Sequence, residues 1–113
     1  MDRRARKYLH DIRVAGERVL EFTDGKSLDD YLGDALMRSA VERQFEIIGE
    51  ALNQLSKHAP EVAAGITDRR QIIGFRNLLI HGYAEVDDRT VWGVVCAKVR
   101  PLLDEVERLG GEA

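Results

Sequence analysis

The sequence predicts an all-α fold, an antiparallel helical bundle of four main helices. Three observations carry that expectation. Apolar residues recur at helical spacing in four separate stretches. No stretch alternates with a period of two for long enough to build a sheet. The breaks between the stretches carry turn and cap chemistry: Asp24-Gly25-Lys26, Pro60 with Gly65, and Gly82.

The first stretch runs from about Arg3 to Thr23, where Tyr8, Ile12, Ala15, Val19 and Phe22 form a stripe. Asp24-Gly25-Lys26 ends it, and Ser27 is placed to cap a short turn through Leu28 and Tyr31. A second long helix, from about Gly33 to Lys57, carries Val41, Phe45, Ile48, Leu52 and Leu55 on one face and Arg43, Glu46 and Glu50 on the other. His58 to Ile66 reads as a connection with room for a short helix. The third long helix covers about Thr67 to His81 on the strength of Ile72, Ile73, Phe75, Leu79 and Ile80. Gly82 should stop it, since glycine accepts left-handed backbone angles. Asp87 or Asp88 then caps a last helix with Val91, Val95, Leu102, Val106 and Leu109 on its apolar face. Pro101 falls inside that pattern and should kink or split it. Tyr8, Phe22, Phe45, Phe75 and Trp92 are read as core aromatics.

Composition bounds the rest. At 113 residues the chain is expected to be one domain, residues 1–113, with a core modest enough for oligomerisation to add stability. Hydrophobic residues make up 44% and charged residues 33%, a soluble globular balance. No apolar run approaches the roughly 20 residues of a membrane span. The basic start Arg3-Arg4-Ala5-Arg6-Lys7 leads into an amphipathic pattern rather than a signal-peptide core, so a cytoplasmic location with no membrane partner is expected. Cys96 is the single cysteine and cannot form an internal disulfide; in the run Val94-Val95-Cys96-Ala97 it reads as a small core residue. Three histidines and one cysteine show no zinc pattern, and Glu46 with Glu50 lack the Glu-x-x-His partner of di-metal bundles. No metal and no cofactor are expected. The net charge of -3 argues against an indiscriminate nucleic-acid coat but leaves two local basic clusters, Arg3-Arg4-Arg6-Lys7 and Arg69-Arg70-Arg76, whose bland reading is solvated helix ends.

The one stretch rich in chemistry is Arg76-Asn77-Leu78-Leu79-Ile80-His81-Gly82-Tyr83. Arg76 lies on or beside the apolar face, where a permanent cation needs a partner. That partner is either a carboxylate, Glu50 or Glu46, or a phosphate from outside. Arg76 and His81 are five residues apart, about 140° around the axis and about 7.5 Å along it. One rigid helix does not aim both at one point; a second copy of the helix across a twofold axis would.

These residues resemble the signature of HEPN-domain proteins of the HepT-like group: an arginine followed by a polar residue, a histidine a few positions on, and a tyrosine two residues later. Arg43-Gln44-Phe45-Glu46-Ile47-Ile48-Gly49-Glu50-Ala51 and Val86-Asp87 before Trp92 are similar to flanking features of that group. The resemblance covers most of the chain. A tryptophan common before the signature helix is replaced here by Ala63-Ala64-Gly65-Ile66-Thr67.

The resemblance implies a homodimeric, metal-independent endoribonuclease toxin, with Arg76 and His81 catalytic and Asn77 supporting. It also implies neutralisation by a nucleotidyltransferase antitoxin, which in some systems AMPylates the signature tyrosine, here Tyr83. Chemically this is coherent. RNA supplies its own 2′-hydroxyl nucleophile, histidine exchanges protons near neutral pH, and a guanidinium fork matches phosphate oxygens. The alternative is a non-catalytic helical binding module partnering a nucleotidyltransferase, with Arg76 paired to Glu50 and His81 only closing the helix. A partly buried ring at the helix end is the bland reading of Tyr83.

Overall fold

The computed structural model describes residues 1–110. They form α1 (Arg3–Thr23), α2 (Leu28–Leu32), α3 (Ala35–His58), α4 (Pro60–Ala63), α5 (Arg69–His81) and α6 (Asp88–Gly110), with a single 3-10 turn over Tyr83–Glu85. Four of these are long, and no strand occurs among the described residues, so the all-α bundle is the fold. None of the described helices is long and apolar enough to cross a membrane.

The helix starts follow from short polar side chains. Asp2 accepts from the Ala5 amide at 2.9 Å and caps α1. That amide, followed by His58 on α3, holds the Asp2 carboxyl below its ordinary range. Gly25 ends the turn after α1 at φ +71°, a left-handed angle that favours glycine. Ser27 and Asp30 exchange side-chain and backbone hydrogen bonds in a capping box for α2. Asp34 caps α3 through the Met37 amide. Of the two candidates for the last helix it is Asp87 that caps, accepting from the Arg89 amide and the Thr90 hydroxyl.

Helix α3 is the hub: α1 and α5 both pack along it, and α6 lies against α1. One cluster of buried side chains joins them, with Ile12 and Val19 of α1, Ile48, Leu52 and Leu55 of α3, and Val91 and Val99 of α6 at its centre. Burying an aliphatic side chain of this size contributes about 1.5–3 kcal/mol. The short α2 touches α3 and α6 and drives Tyr31 fully inside, where its ring meets Trp92 at 5.3 Å. Burial, with Glu42 and Asp88 nearby, pushes the Tyr31 phenol well above its ordinary range. Arg38 donates to the Tyr31 and Leu32 carbonyls at the end of α2 and pairs with Asp88 at 3.5 Å.

Four sequence expectations are corrected. The buried stripe of α1 is Ala5, Leu9, Ile12, Ala15, Gly16, Val19 and Thr23; Tyr8 and Phe22 lie at its edges, because small residues permit the close contact with α3 and α6. Phe75 and Trp92 are likewise only partly buried, against the core rather than in it. Cys96 is exposed, since it follows Val95 by about 100° around α6 and misses the stripe Val91, Val95, Val99, Leu102 and Val106. Pro101 leaves α6 continuous from Asp88 to Gly110.

Candidate active site

Helix α5 leans on α3 and buries only Leu79 completely. Ile72, Ile73 and Phe75 pack part-buried against the core, and Phe75 meets Phe45 of α3 edge-on at 5.5 Å. The closest approach is at Gly49. A side-chain carbon built there would lie 2.7 Å from Arg76 Cγ and nearer still to its Cβ, so only glycine lets α5 seat at this depth. Glycine at this crossing fixes where the arginine stem begins.

The guanidinium is then taken up on both sides. Arg76 Nη2 donates to Glu50 Oε1 at 2.7 Å and Nη1 donates to Asn77 Oδ1 at 2.7 Å. Glu50 is steadied in turn by Gln54, whose Nε2 donates to its other oxygen at 3.2 Å. The Arg76 side chain is 20% exposed and Glu50 46%, so the arginine is the sheltered member of the pair. Glu50, one turn beyond Glu46, is thus the carboxylate that answers the part-buried cation. Glu46 is drawn instead to Arg43 at 3.4 Å. Arg76, Glu50 and Gln54 line a cavity of about 250 Å³ shared with Tyr8, Glu46 and Ile80.

His81 is the last residue of α5 and is exposed. Gly82 stops the helix, its amide donating to the Leu78 carbonyl at 2.8 Å. It does so at φ -116°, outside the left-handed region expected of it. A side-chain carbon there would come within 2.9 Å of Leu78 Cδ1, a contact that the exposed leucine can relieve by turning. Tyr83 opens the 3-10 turn and is 77% exposed, so the reading of a partly buried cap does not hold. Leu78 and Ile80 flank the buried Leu79 and are exposed, leaving the end of α5 with both an apolar and a polar surface.

The structure therefore brings Arg76, Asn77 and Glu50 into contact and sets His81 and Tyr83 beyond them on the open end of the same helix. Among the described residues no hydrogen bond joins His81 or Tyr83 to Arg76. No group of three or more histidine, cysteine, aspartate or glutamate side chains that could hold a metal ion occurs there either. Gly49 and Gln54 had no signal in the signature itself; the only hint was a small residue beside Glu50 in Ile48-Gly49-Glu50-Ala51.

Comparison with known proteins bears on this arrangement. The family model described as "Ribonuclease HepT-like" matches residues 12–109, a span containing α3, α5, Glu50 and the whole stretch from Arg76 to Tyr83. The chain belongs to the HepT-like family. A protein of Thermococcus cleftensis named "Probable ribonuclease HepT" is 35% identical over 96% of this chain and 98% of its own length. A "Putative RNase" of Methanocaldococcus jannaschii is 31% identical over 93% of this chain and 95% of its own. Another, of Caldanaerobacter subterraneus, is 32% identical over 92% of each. No solved structure gives a significant match.

Proposed function

We propose that this chain is a metal-independent endoribonuclease that acts as the toxin of a toxin-antitoxin pair. The observation that carries the reading is the outer surface of α5: a guanidinium fixed against α3 and bonded to Asn77, with His81 exposed at the end of the same helix, in a HepT-like chain whose relatives are named as ribonucleases. RNA is the substrate, and the cytoplasm the compartment where it would be met.

The reaction needs no metal because the substrate carries its nucleophile. A base takes the 2′-hydroxyl proton as that oxygen attacks phosphorus. The bond to the 5′-oxygen breaks, that oxygen accepts a proton from an acid, and a 2′,3′-cyclic phosphate remains. His81 is the proton-transfer group. Arg76 stabilises the charge gathering on the phosphate oxygens, its fork held by Asn77 and Glu50. A homodimer with facing α5 helices would supply two histidines, one as base and one as acid, and would overcome the 140° between Arg76 and His81 on one helix.

Tyr83 is the point of control. With its ring in solvent two residues beyond His81, it is accessible to a nucleotidyltransferase antitoxin. An AMP group there would place a bulky anion where the RNA phosphate must sit.

The Arg76–Glu50 pair also favours a second reading, a non-catalytic helical module that binds a nucleotidyltransferase. One experiment separates the two. Unmodified protein of verified mass is incubated with a mixed RNA pool in EDTA beside Arg76→Ala and His81→Ala. Cleavage by the wild type alone, leaving cyclic or 3′-phosphate ends, is expected. Equal behaviour of all three would leave the binding module as the function.

A further inference from the structure

We propose that Glu50 is a positioning residue for phosphodiester cleavage: it aims the Arg76 guanidinium and restrains it from collapsing onto ground-state RNA. The inference rests on the ribonuclease reading above and deepens it.

A guanidinium has five N–H donors. In Arg76 the Nε–H is buried without a protein partner, one Nη2 hydrogen goes to Glu50 and one Nη1 hydrogen to Asn77. One hydrogen on each terminal nitrogen remains to be donated to phosphate oxygens. The stem is pinned by Gly49, the head by Glu50 on one helix and Asn77 on its own. Glu50 is itself braced by Gln54, so the aim is set by α3, a helix that bears none of the signature residues.

The charge of Glu50 adds a second effect. An RNA phosphate arriving at Arg76 meets a carboxylate already 2.7 Å from the same cation. Ground-state binding is weakened by that competition. The transition state carries more charge on the phosphoryl oxygens and gains more from a cation held in place. Glu50 therefore raises KM through its charge and raises kcat by holding the guanidinium in place, an effect that must outweigh its own repulsion of the transition state. An ion pair that served only stability would do neither.

The experiment measures kcat and KM for a fluorogenic RNA oligonucleotide with wild type, Glu50→Gln and Glu50→Asp, all shown folded by circular dichroism at the assay temperature. Glu50→Gln keeps the shape and an acceptor but loses the charge. Its kcat is expected to fall about tenfold, within the range for a modest misplacement of a catalytic group. Its KM is expected to fall by up to about fivefold, the size of one exposed charge interaction. Glu50→Asp keeps the charge and should return KM to the wild-type value with part of kcat. Unchanged kcat and KM in folded Glu50→Gln, or a lower melting temperature and apparent kcat with KM unchanged, would overturn the positioning role. Failure of the wild type to cut RNA would instead overturn the ribonuclease reading, and this role with it.

Discussion

Substituting Gly49 by alanine tests the depth at which α5 sits on α3. Glycine inside a helix is about 0.8–1.0 kcal/mol less favourable than alanine, so propensity alone predicts that Gly49→Ala stabilises the protein. The packing predicts the reverse. The added carbon would lie 2.7 Å from Arg76 Cγ, closer still to Arg76 Cβ, and 3.5 Å from the Ile72 carbonyl oxygen. Carbon atoms rest at about 3.5–4.0 Å, so the two helices must separate by roughly 1 Å or the arginine stem must leave its rotamer. Overpacking of this kind costs about 1–3 kcal/mol. Set against the propensity gain, the net is a loss of up to about 2 kcal/mol, or up to roughly 10 °C in melting temperature for a chain of this size. The control is Gly93→Ala on α6, where no atom lies within 4 Å and the propensity gain should appear undiminished. Thermal melts by circular dichroism on both variants and the wild type suffice. If Gly49→Ala melts at or above the wild-type temperature, the close crossing at Arg76 is wrong.

Two further predictions concern other parts of the fold. Burial, then Asp88 and Glu46, push the Glu42 carboxyl above its ordinary value of 4.5, against an opposing pull from Arg38. A raised carboxyl means that the folded state binds the proton more tightly, so its contribution is complete below the ordinary value and is lost as pH rises through the raised one. Glu42→Gln should therefore melt higher than the wild type at pH 7, with the gap closing by about pH 4; melting curves across that range with a constant gap would refute the burial argument. Cys96 is exposed, and native protein should titrate one thiol with a colourimetric disulfide reagent without denaturant; a thiol that reacts only after unfolding would return it to the core.

Much of the scaffold was legible because caps and periodicity are local. The limits of α1, the Ser27 cap and the end of α5 at His81 all come from side chains within a few residues of the boundary. What was illegible depends on how helices meet. Large aromatics such as Tyr8 and Phe22 draw attention in a sequence, yet Ala5 and Gly16 hold the inner line of α1 because their size permits contact. Cys96 sits among valines in sequence but one residue off their face. For the site, the need of Arg76 for an anionic partner could be argued from burial cost alone, with a phosphate from outside and two glutamates one turn apart to choose among. The register of α5 on α3, set at Gly49, decided for Glu50. The helix stops at Gly82 as expected, but without the left-handed backbone angle that motivated the expectation.

That α5 rests on one long neighbour while α3 is gripped from several sides has a consequence for how the molecule breathes. Amide protons are released to solvent by the cheapest local opening available, and that cost follows the apolar contact an element would have to give up. With Leu79 as its only fully buried side chain, α5 is the long helix with least to lose. Its amides should exchange before those of α1, α3 and α6, and the ion pair from Arg76 to Glu50 becomes the rivet that delays them. Any protein or RNA that covers the open end of α5 would then register as slowed exchange along that helix, giving a readout of occupancy that requires neither cleavage nor a label.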